Sequence, residues 1–584
     1  MVSIKDLSTL KDEDLILPPD VDAATLKSAF EELSRIVGSE NIDILTKEHM
    51  MPDEEGHYFN LPREHDLFYV LEKDTFLASA VVSPKNTEEV SAIVKLANKV
   101  LLPLWPISRG RNLGYGGAAP RLRGSVVLDM GKQMNRVLEV DGESATCLLE
   151  PGVSYFDLYD HLQNNGYKHL WIDNPDLGGG SVVGNALDRG AGYTPYGEHF
   201  SMHCGMEVVL PTGEVTRTGM GALPGNNTWQ AFQYGYGPYP DGIFTQSNFG
   251  IVTKMGFWLM PDPGFKGYQS YLFSFPKDSD LPAIVEIVRV LRLRMIIQNA
   301  PTIRNTLIDA AVLGPKSKYT SKTGVLSDED IDKIAKEIGV GRWNVYGAMY
   351  GPKELRDIQW GAIKTAFLTI PGAIYTFPED VEKGAEAKVI HMRADTLKGL
   401  PNTYELGWLN WTGPKGSLLG FSPISPTTGP DAIKQYNMVK RRFFEFGFDY
   451  IGTFVVGWRE LHHIVCLTFD KTDPESRRKA HRCIELLIDD AAKEGYGEYR
   501  THLCFMDQIA SVYNWNGNSS LRFNETLKDS LDPNGILAPG KSGIWPKRLR
   551  GRGFEIQRTQ KYEDSESNNG VSTNSSGNVE GSRL

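Results

Sequence analysis

Apolar positions near the amino terminus switch between the two periods that mark helices and strands. Over residues 24–37 they recur three and four apart, the spacing of a short amphipathic helix, and a polar connection then runs to about Asp74. Leu77–Val82 is a compact apolar run of strand length. Asn86 follows as a helix cap, with Glu89 three residues on and Val90, Ile93, Val94 and Ala97 on one face. Residues 102–120, LPLWPISRGRNLGYGGAAP, begin as a buried strand and end in glycines. Further strands are predicted at Gly124–Met130, Val137–Val140 and Ala145–Glu150, and Ser154 caps a helix that Gly166 ends. The alternation predicts an α+β class, glycine-dense as far as about Pro261.

From about Gly264 glycine thins and the periodicity becomes that of helices backing an antiparallel sheet. Helices are predicted around Leu281–Leu293, Asp328–Ile338, Leu355–Leu368, Ala432–Phe446 and Glu475–Glu494. Strands fall near Arg342–Tyr350, Ala373–Phe377 and Tyr450–Phe469. At 584 residues the chain exceeds a single core. The divisions read from texture are 1–264, 265–496 and 497–555, with a disordered tail over 556–584 that contains EDSESNNGVSTNSSGNVEG, too polar to bury a core.

Composition narrows the function classes. Hydrophobic residues at 41% and charged residues at 23% suit a globular enzyme, and a net charge of −11 without a basic stripe argues against nucleic-acid binding. No apolar run has transmembrane length, and the opening MVSIKDLSTLKDEDLILPPD is too charged for a signal peptide. Cys147, Cys204, Cys466, Cys483 and Cys504 form no CxxC pair, which fits buried thiols in a reducing compartment and no metal site. Ser582-Arg583-Leu584 differs from the peroxisomal address SKL by one Lys-to-Arg exchange, so a peroxisomal import receptor is the expected partner, a cytoplasmic location being the alternative.

Three stretches carry candidate chemistry. Gly110, Gly114, Gly116 and Gly117 let the backbone turn sharply and aim its amides at one anion, although a glycine-rich surface turn has the same text. The run is neither GxGxxG nor GxxxxGK[ST]. Gly178-Gly179-Gly180, just after Asp173 and Asp176, offers a flat backbone surface beside carboxylates; both aspartates read equally as turn caps. FTQSNFGIVTK, Phe244–Lys254, is a polar loop entering a strand. His462 and His463 are neighbours on one strand and point to opposite faces, so they cannot share an ion.

Together SRGRNLGYGGAAP, NPDLGGGSVVGNA, SNFGIVTK, GEYRTHLCFMDQ and DPNGILAPGKSG resemble the vanillyl-alcohol oxidase and 4-cresol methylhydroxylase family of flavoproteins, in order from about Val37 to Trp545. The resemblance implies a two-domain flavoprotein oxidase fold, a PCMH-type FAD-binding domain with an inserted cap domain of antiparallel sheet backed by helices. It implies FAD lying with its pyrophosphate on the loop of Ser108, Gly110, Arg111, Asn112, Gly114, Gly116 and Gly117. Pro175, Gly178, Gly179, Gly180, Ser181, Gly184, Asn185, Ser247, Gly250, Ile251, Val252, Arg500 and Lys541 would line the rest. Tyr115, Tyr499 and Arg500 match the family's phenol-oxygen pocket, Asp176 its active-site aspartate, taken as the base that activates water, and Arg393 an arginine at the flavin N1–C2 edge.

The implied activity is FAD-dependent oxidation of a para-substituted phenol through hydride transfer from the benzylic carbon to flavin. The product of that step is a p-quinone methide, and O2 is reduced to hydrogen peroxide. The alternatives are a dehydrogenase or hydroxylase with another electron acceptor, and a flavin-binding protein without turnover. The tail favours oxygen, and the retained pocket argues against a mere scaffold. Leu418 stands where the family has its flavin-bonding histidine, and Phe68 where a second histidine assists, so non-covalent FAD is expected; Gly420 replaces a bulky aromatic and suggests extra room. A homodimer is expected, because only GNNTWQAFQ fills the gap where an octameric member of the family has a longer inter-dimer loop.

Overall fold

The computed structural model describes residues 2–47, 63–264, 266–383, 388–556 and 558; Ser582-Arg583-Leu584 and almost all of the polar tail lie outside them. The first part of the chain is built on two five-stranded sheets. In one, Val2–Ser3, Ile42–Ile44, Ala80–Val82, Val126–Asp129 and Leu104–Ile107 lie side by side, the last three strands parallel. Helices Ala23–Val37 and Thr87–Val100 bury Leu26, Phe30, Val90 and Val94 with these strands. The Asn86 cap is present, its side chain accepting from the Glu89 amide at 2.8 Å. The second sheet is antiparallel and orders Val215–Arg217, His203–Val209, Ile251–Trp258, Thr146–Leu149 and Val137–Asp141. Ser154 begins the helix Tyr155–Asn164 with a reciprocal Ser154–Asp157 capping box.

The middle of the chain forms one antiparallel eight-stranded sheet. Its order is Ile374–Thr376, Tyr268–Phe275, Trp343–Tyr350, Thr302–Asn305, Gly452–Val456, Glu460–Asp470 and Gly416–Phe421, with Ile424–Pro426 also on the 460–470 strand. Alternation along these strands sorts the two faces. Phe273, Phe275, Val345, Phe454 and Leu467 meet the helices Leu281–Leu293, Lys353–Phe367, Gly429–Glu445 and Pro474–Lys493. Leu272, Tyr346, Ala348 and Val455 point the other way, into a cluster with Tyr193 and Met260 of the first part. A cavity lies along that seam.

The chain then returns to its beginning. The Leu104 amide donates to Ile536 O and the Ala538 amide to Leu104 O, each at 2.8 Å, which ties residues 536–538 to the first sheet. Buried Lys528 secures the turn by donating to Asn248 O, Leu537 O and Asp532. The α+β class with a helix-backed antiparallel sheet is therefore the observed one. Among the described residues no helix is long and apolar enough to cross a membrane.

Candidate active site

A cavity of about 330 Å³ runs between the first part of the chain, the inner face of the large sheet and the returning segment. The glycine loop forms one wall. Gly110, Gly114, Gly116 and Gly117 all adopt positive φ, from 57° to 107°, which side chains rarely tolerate. The four glycines divide their duties, however. The amides of Tyr115 and Gly117 close the loop on the Asn112 carbonyl. A Cβ on Gly114 would strike Leu418 at 2.4 Å, and one on Gly116 would strike Leu503 at 2.3 Å, so these two serve close packing. Ser108, Gly110, Arg111, Asn112, Tyr115 and Gly117 face the cavity.

The second glycine run is divided too. Gly178 is packed on Phe156 and Pro401, and its amide donates to Asn402 O at 2.7 Å. The cavity is instead lined by Pro175, Gly180, Ser181, Gly184 and Asn185; Gly179 is not on its wall. Across from them stand Ser247, Gly250, Ile251, Val252 and Lys541. Ser247 Oγ is buried with no partner, and a Cβ on Gly184 would meet Ser108 Oγ at 2.3 Å. A groove of bare backbone edged by an orphaned hydroxyl fits the long, polar FAD molecule. Asp173 is absent from the wall, its carboxylate held by His199 at 2.6 Å and by the Thr194 amide at 2.7 Å. Of its two readings, the structural one holds.

The predicted phenol-oxygen residues converge from segments nearly four hundred positions apart. Arg500 donates to Tyr115 Oη at 3.4 Å, and its guanidinium carbon lies 4.4 Å from the Tyr115 ring centre and 5.4 Å from that of Tyr499. Tyr115 Oη also meets Ser422 Oγ at 3.2 Å. Burial opposes the Arg500 charge, but Tyr115, Tyr499 and Asp188 outweigh it and hold the guanidinium firmly protonated. Burial pushes the Tyr499 hydroxyl up in spite of Arg500, so it stays a neutral donor. The expected room beside Gly420 is filled: a Cβ there would lie 2.5 Å from Tyr115 Oη.

Asp176 and Arg393 come together, though not as two groups on the wall. They form a buried ion pair, 1% and 3% exposed, in which Thr396 also donates to Asp176. Burial alone would raise Asp176, but Arg393, Thr396 and Arg304 hold it below the usual carboxylate value. The group that does reach the cavity is Glu405, 11% exposed, 3.5 Å from Arg304 and within hydrogen-bonding reach of Asp176. Burial and the Asp176 charge push it well above its ordinary value. Asp176 is thus held low and Glu405 high, the two titrating as one coupled pair. Arg393 lies over the Tyr193 ring at 4.4 Å and gives Nη1 to Asp176, while its Nε and Nη2 are buried without a partner. Arg304 in turn pairs with Asp309 at 2.6 Å.

His462 and His463 do point apart. His463 is fully buried between Tyr450 and Gln435, and burial lowers it to about 3. His462 lines the cavity, edge-on to Tyr499 at 5.1 Å, and with Glu198 and Glu460 places ligand-type atoms within 4.8 Å of one another. Phe68 packs with Leu67 and Leu113 beside the glycine loop. Behind that loop an unpredicted relay runs from Asp66 to His502 at 2.7 Å and on to Cys504 at 3.1 Å. Against the cost of burial, Cys504 and Asp66 raise His502 to about 10. Burial would raise the Cys504 thiol, but His502 and His481 bring it down to about 7. This tie fastens the segments on either side of Gly116 and Gly117.

Comparison with known proteins agrees with this geometry. An FAD binding domain model matches residues 78–219, and a model of the C-terminal domain of FAD linked oxidases matches 407–542. The chain is 38% identical to the flavoprotein subunit of 4-cresol dehydrogenase (hydroxylating) from Pseudomonas putida, over 91% of this chain and 98% of that protein. Among solved structures it superposes on 4-ethylphenol oxidase from Gulosibacter chungangensis, in an isoeugenol complex, with a TM-score of 0.86 and 42% identity, covering 91% of this chain and all (100%) of that one. Against substrate-bound p-cresol methylhydroxylase the TM-score is 0.84 at 37% identity, with 91% and 99% covered.

Proposed function

The chain belongs to the FAD-dependent, phenol-oxidising flavoproteins of the p-cresol methylhydroxylase and vanillyl-alcohol oxidase family, and on that footing we propose that it oxidises para-substituted phenols and passes the electrons to O2, giving hydrogen peroxide. The observation that carries the reading is Arg500 spanning Tyr115 and Tyr499 on the cavity wall.

A free phenol ionises near pH ~10. A fixed cation with two hydroxyl groups lowers that value for a bound ring and anchors its oxygen. The phenolate pushes electron density to its para position and weakens the benzylic C–H bond towards hydride loss. FAD, when bound along the glycine loop, supplies the hydride acceptor. The substrate is left as a p-quinone methide, which water resolves by adding to the methide carbon, or a hydroxyl already on that carbon resolves by losing its proton to give the carbonyl. The proton that the added water gives up passes to the Asp176–Glu405 pair through the cavity-facing Glu405 carboxyl, Glu405 handing its own proton to Asp176. Asp176, read from the sequence as the base, takes that proton through Glu405 rather than directly. Leu418 has no nucleophilic atom, so we read the cofactor as held without a covalent bond.

Oxygen uptake and peroxide formation with 4-ethylphenol, vanillyl alcohol and 4-allylphenols test the proposal. Uptake with matching peroxide supports it. Flavin reduction without uptake, restored by an added dye or cytochrome, replaces oxygen with another acceptor. No reduction by any of these phenols overturns it.

A further inference from the structure

Behind Arg500 lies a second cavity, of about 270 Å³, that the chemistry above does not use. It adjoins the first along Asn112, Asp188, Gln246, Tyr499, Arg500 and Lys541, which line both. Its inner wall is the segment Glu498 to Thr501. Its outer wall comes from helices Met506–Val512 and Trp515–Leu531, through apolar Ile509 and Leu521. Exposed Tyr513 stands at its rim, which opens the cavity to solvent.

The inner wall carries an unmet demand for hydrogen bonds. Glu498 is 4% exposed and Thr501 8%; Glu498 Oε2 and Thr501 Oγ1 lie within reach of each other but have no other partner, and Arg500 Nε has none. Buried polar atoms are seldom left so, and several on one short segment facing a cavity mark a place that a ligand completes. Burial raises the Glu498 carboxyl well above its ordinary value, with Arg500 only partly opposing, so it is a neutral donor as well as an acceptor. The volume, about 270 Å³, falls just below the roughly 300–1,000 Å³ of drug-sized sites, the scale of a one-ring ligand.

We propose that this cavity binds a neutral phenol, a second molecule held behind the phenolate pocket on the way to it. The ring would lie on Ile509 and Leu521 and the hydroxyl on Glu498 and Thr501. The free phenol, which ionises only near pH ~10, arrives neutral at neutral pH and so matches a neutral Glu498. Because the two sites share Arg500 and Tyr499, occupancy of both produces substrate inhibition at high phenol. The inference rests on the phenol reading given above.

The test titrates the FAD-loaded protein with 4-fluorophenol, which has no benzylic carbon to oxidise. Fluorine NMR counts bound phenol and the flavin absorption spectrum reports the inner site. About two phenols per chain are expected, only one of them perturbing the flavin. Leu521→Trp should weaken the flavin-silent site by at least about tenfold, as loss of one good contact does, and Leu521→Ala should retain it. One phenol that perturbs the flavin and ignores Leu521→Trp overturns the second site and leaves the phenol reading standing. A single flavin-silent phenol that Leu521→Trp removes supports the cavity and overturns the reading of the inner pocket. No bound phenol overturns both.

Discussion

Gly420→Ala tests the phenol pocket without touching any group that would contact substrate. Gly420 sits in the 416–421 strand opposite Cys466, and its φ is not in the left-handed region, so alanine can take its backbone. The added Cβ would lie 2.5 Å from Tyr115 Oη and 2.6 Å from Cζ, where ordinary contact is about 3.5–4.0 Å. The Tyr115 ring must retreat by about 1 Å. Its bonds to Ser422 at 3.2 Å and Arg500 at 3.4 Å are already long and do not survive such a shift. The bound phenolate then loses one charge-assisted hydrogen bond, worth about 1.5–3 kcal/mol. Binding of 4-fluorophenol, followed by the flavin spectrum, should weaken by about 10- to 150-fold while FAD content stays as in the parent. A folded, FAD-loaded Gly420→Ala protein with unchanged affinity would refute the placing of Tyr115.

Three further outcomes follow from the charges and the cofactor groove. Glu405→Gln keeps the shape of the cavity wall but cannot move a proton, so stopped-flow turnover of a phenolic alcohol should fall by at least about a hundredfold with inhibitor binding intact. Acid precipitation should release the flavin into the supernatant, because Leu418 offers no attachment; a pellet that stays yellow decides against it. Glu498 is raised by burial above its unfolded value, so the stability it contributes is full below about pH 4.5 and is lost as pH rises towards its folded value. Glu498→Gln does not titrate, so its melting temperature relative to the parent should climb from pH 5 to pH 8; a constant difference would mean that Glu498 ionises normally.

The parts of the fold that were legible are those in which one residue type has one physical use. Asn86 and Ser154 cap helices because their short polar side chains satisfy free amides. The 268–275 strand and the 203–209 strand left no such trace. His203–Val209 is buried on both faces and therefore shows no alternation, its Glu207 being neutralised by Lys254 at 2.7 Å and Arg217 at 2.8 Å. Tyr450–Phe469 reads as one strand, but a turn over 457–459 folds it into the hairpin of 452–456 and 460–470. In the site, Tyr115, Tyr499 and Arg500 are legible through their motifs. Glu405 lies in an irregular tryptophan-rich stretch with no motif, and its importance arises from Asp176 and Arg304, distant in sequence. Backbone strain was equally hidden: Arg189, Gln246, Ala538 and Ser542, all near the two cavities, take positive φ without being glycine.

The central claim is that the pocket holds its phenol ionised. Isoeugenol absorbs at longer wavelength as the phenolate, so its ultraviolet spectrum, recorded bound to the FAD-loaded protein under anaerobic conditions at neutral pH, tests the claim most directly. The spectrum of bound isoeugenol should be that of the phenolate, more than two pH units below the free phenol's ionisation near pH ~10, and Arg500→Ala should abolish the change. A bound isoeugenol that keeps the neutral phenol spectrum, or a phenolate spectrum that survives Arg500→Ala, would contradict the account.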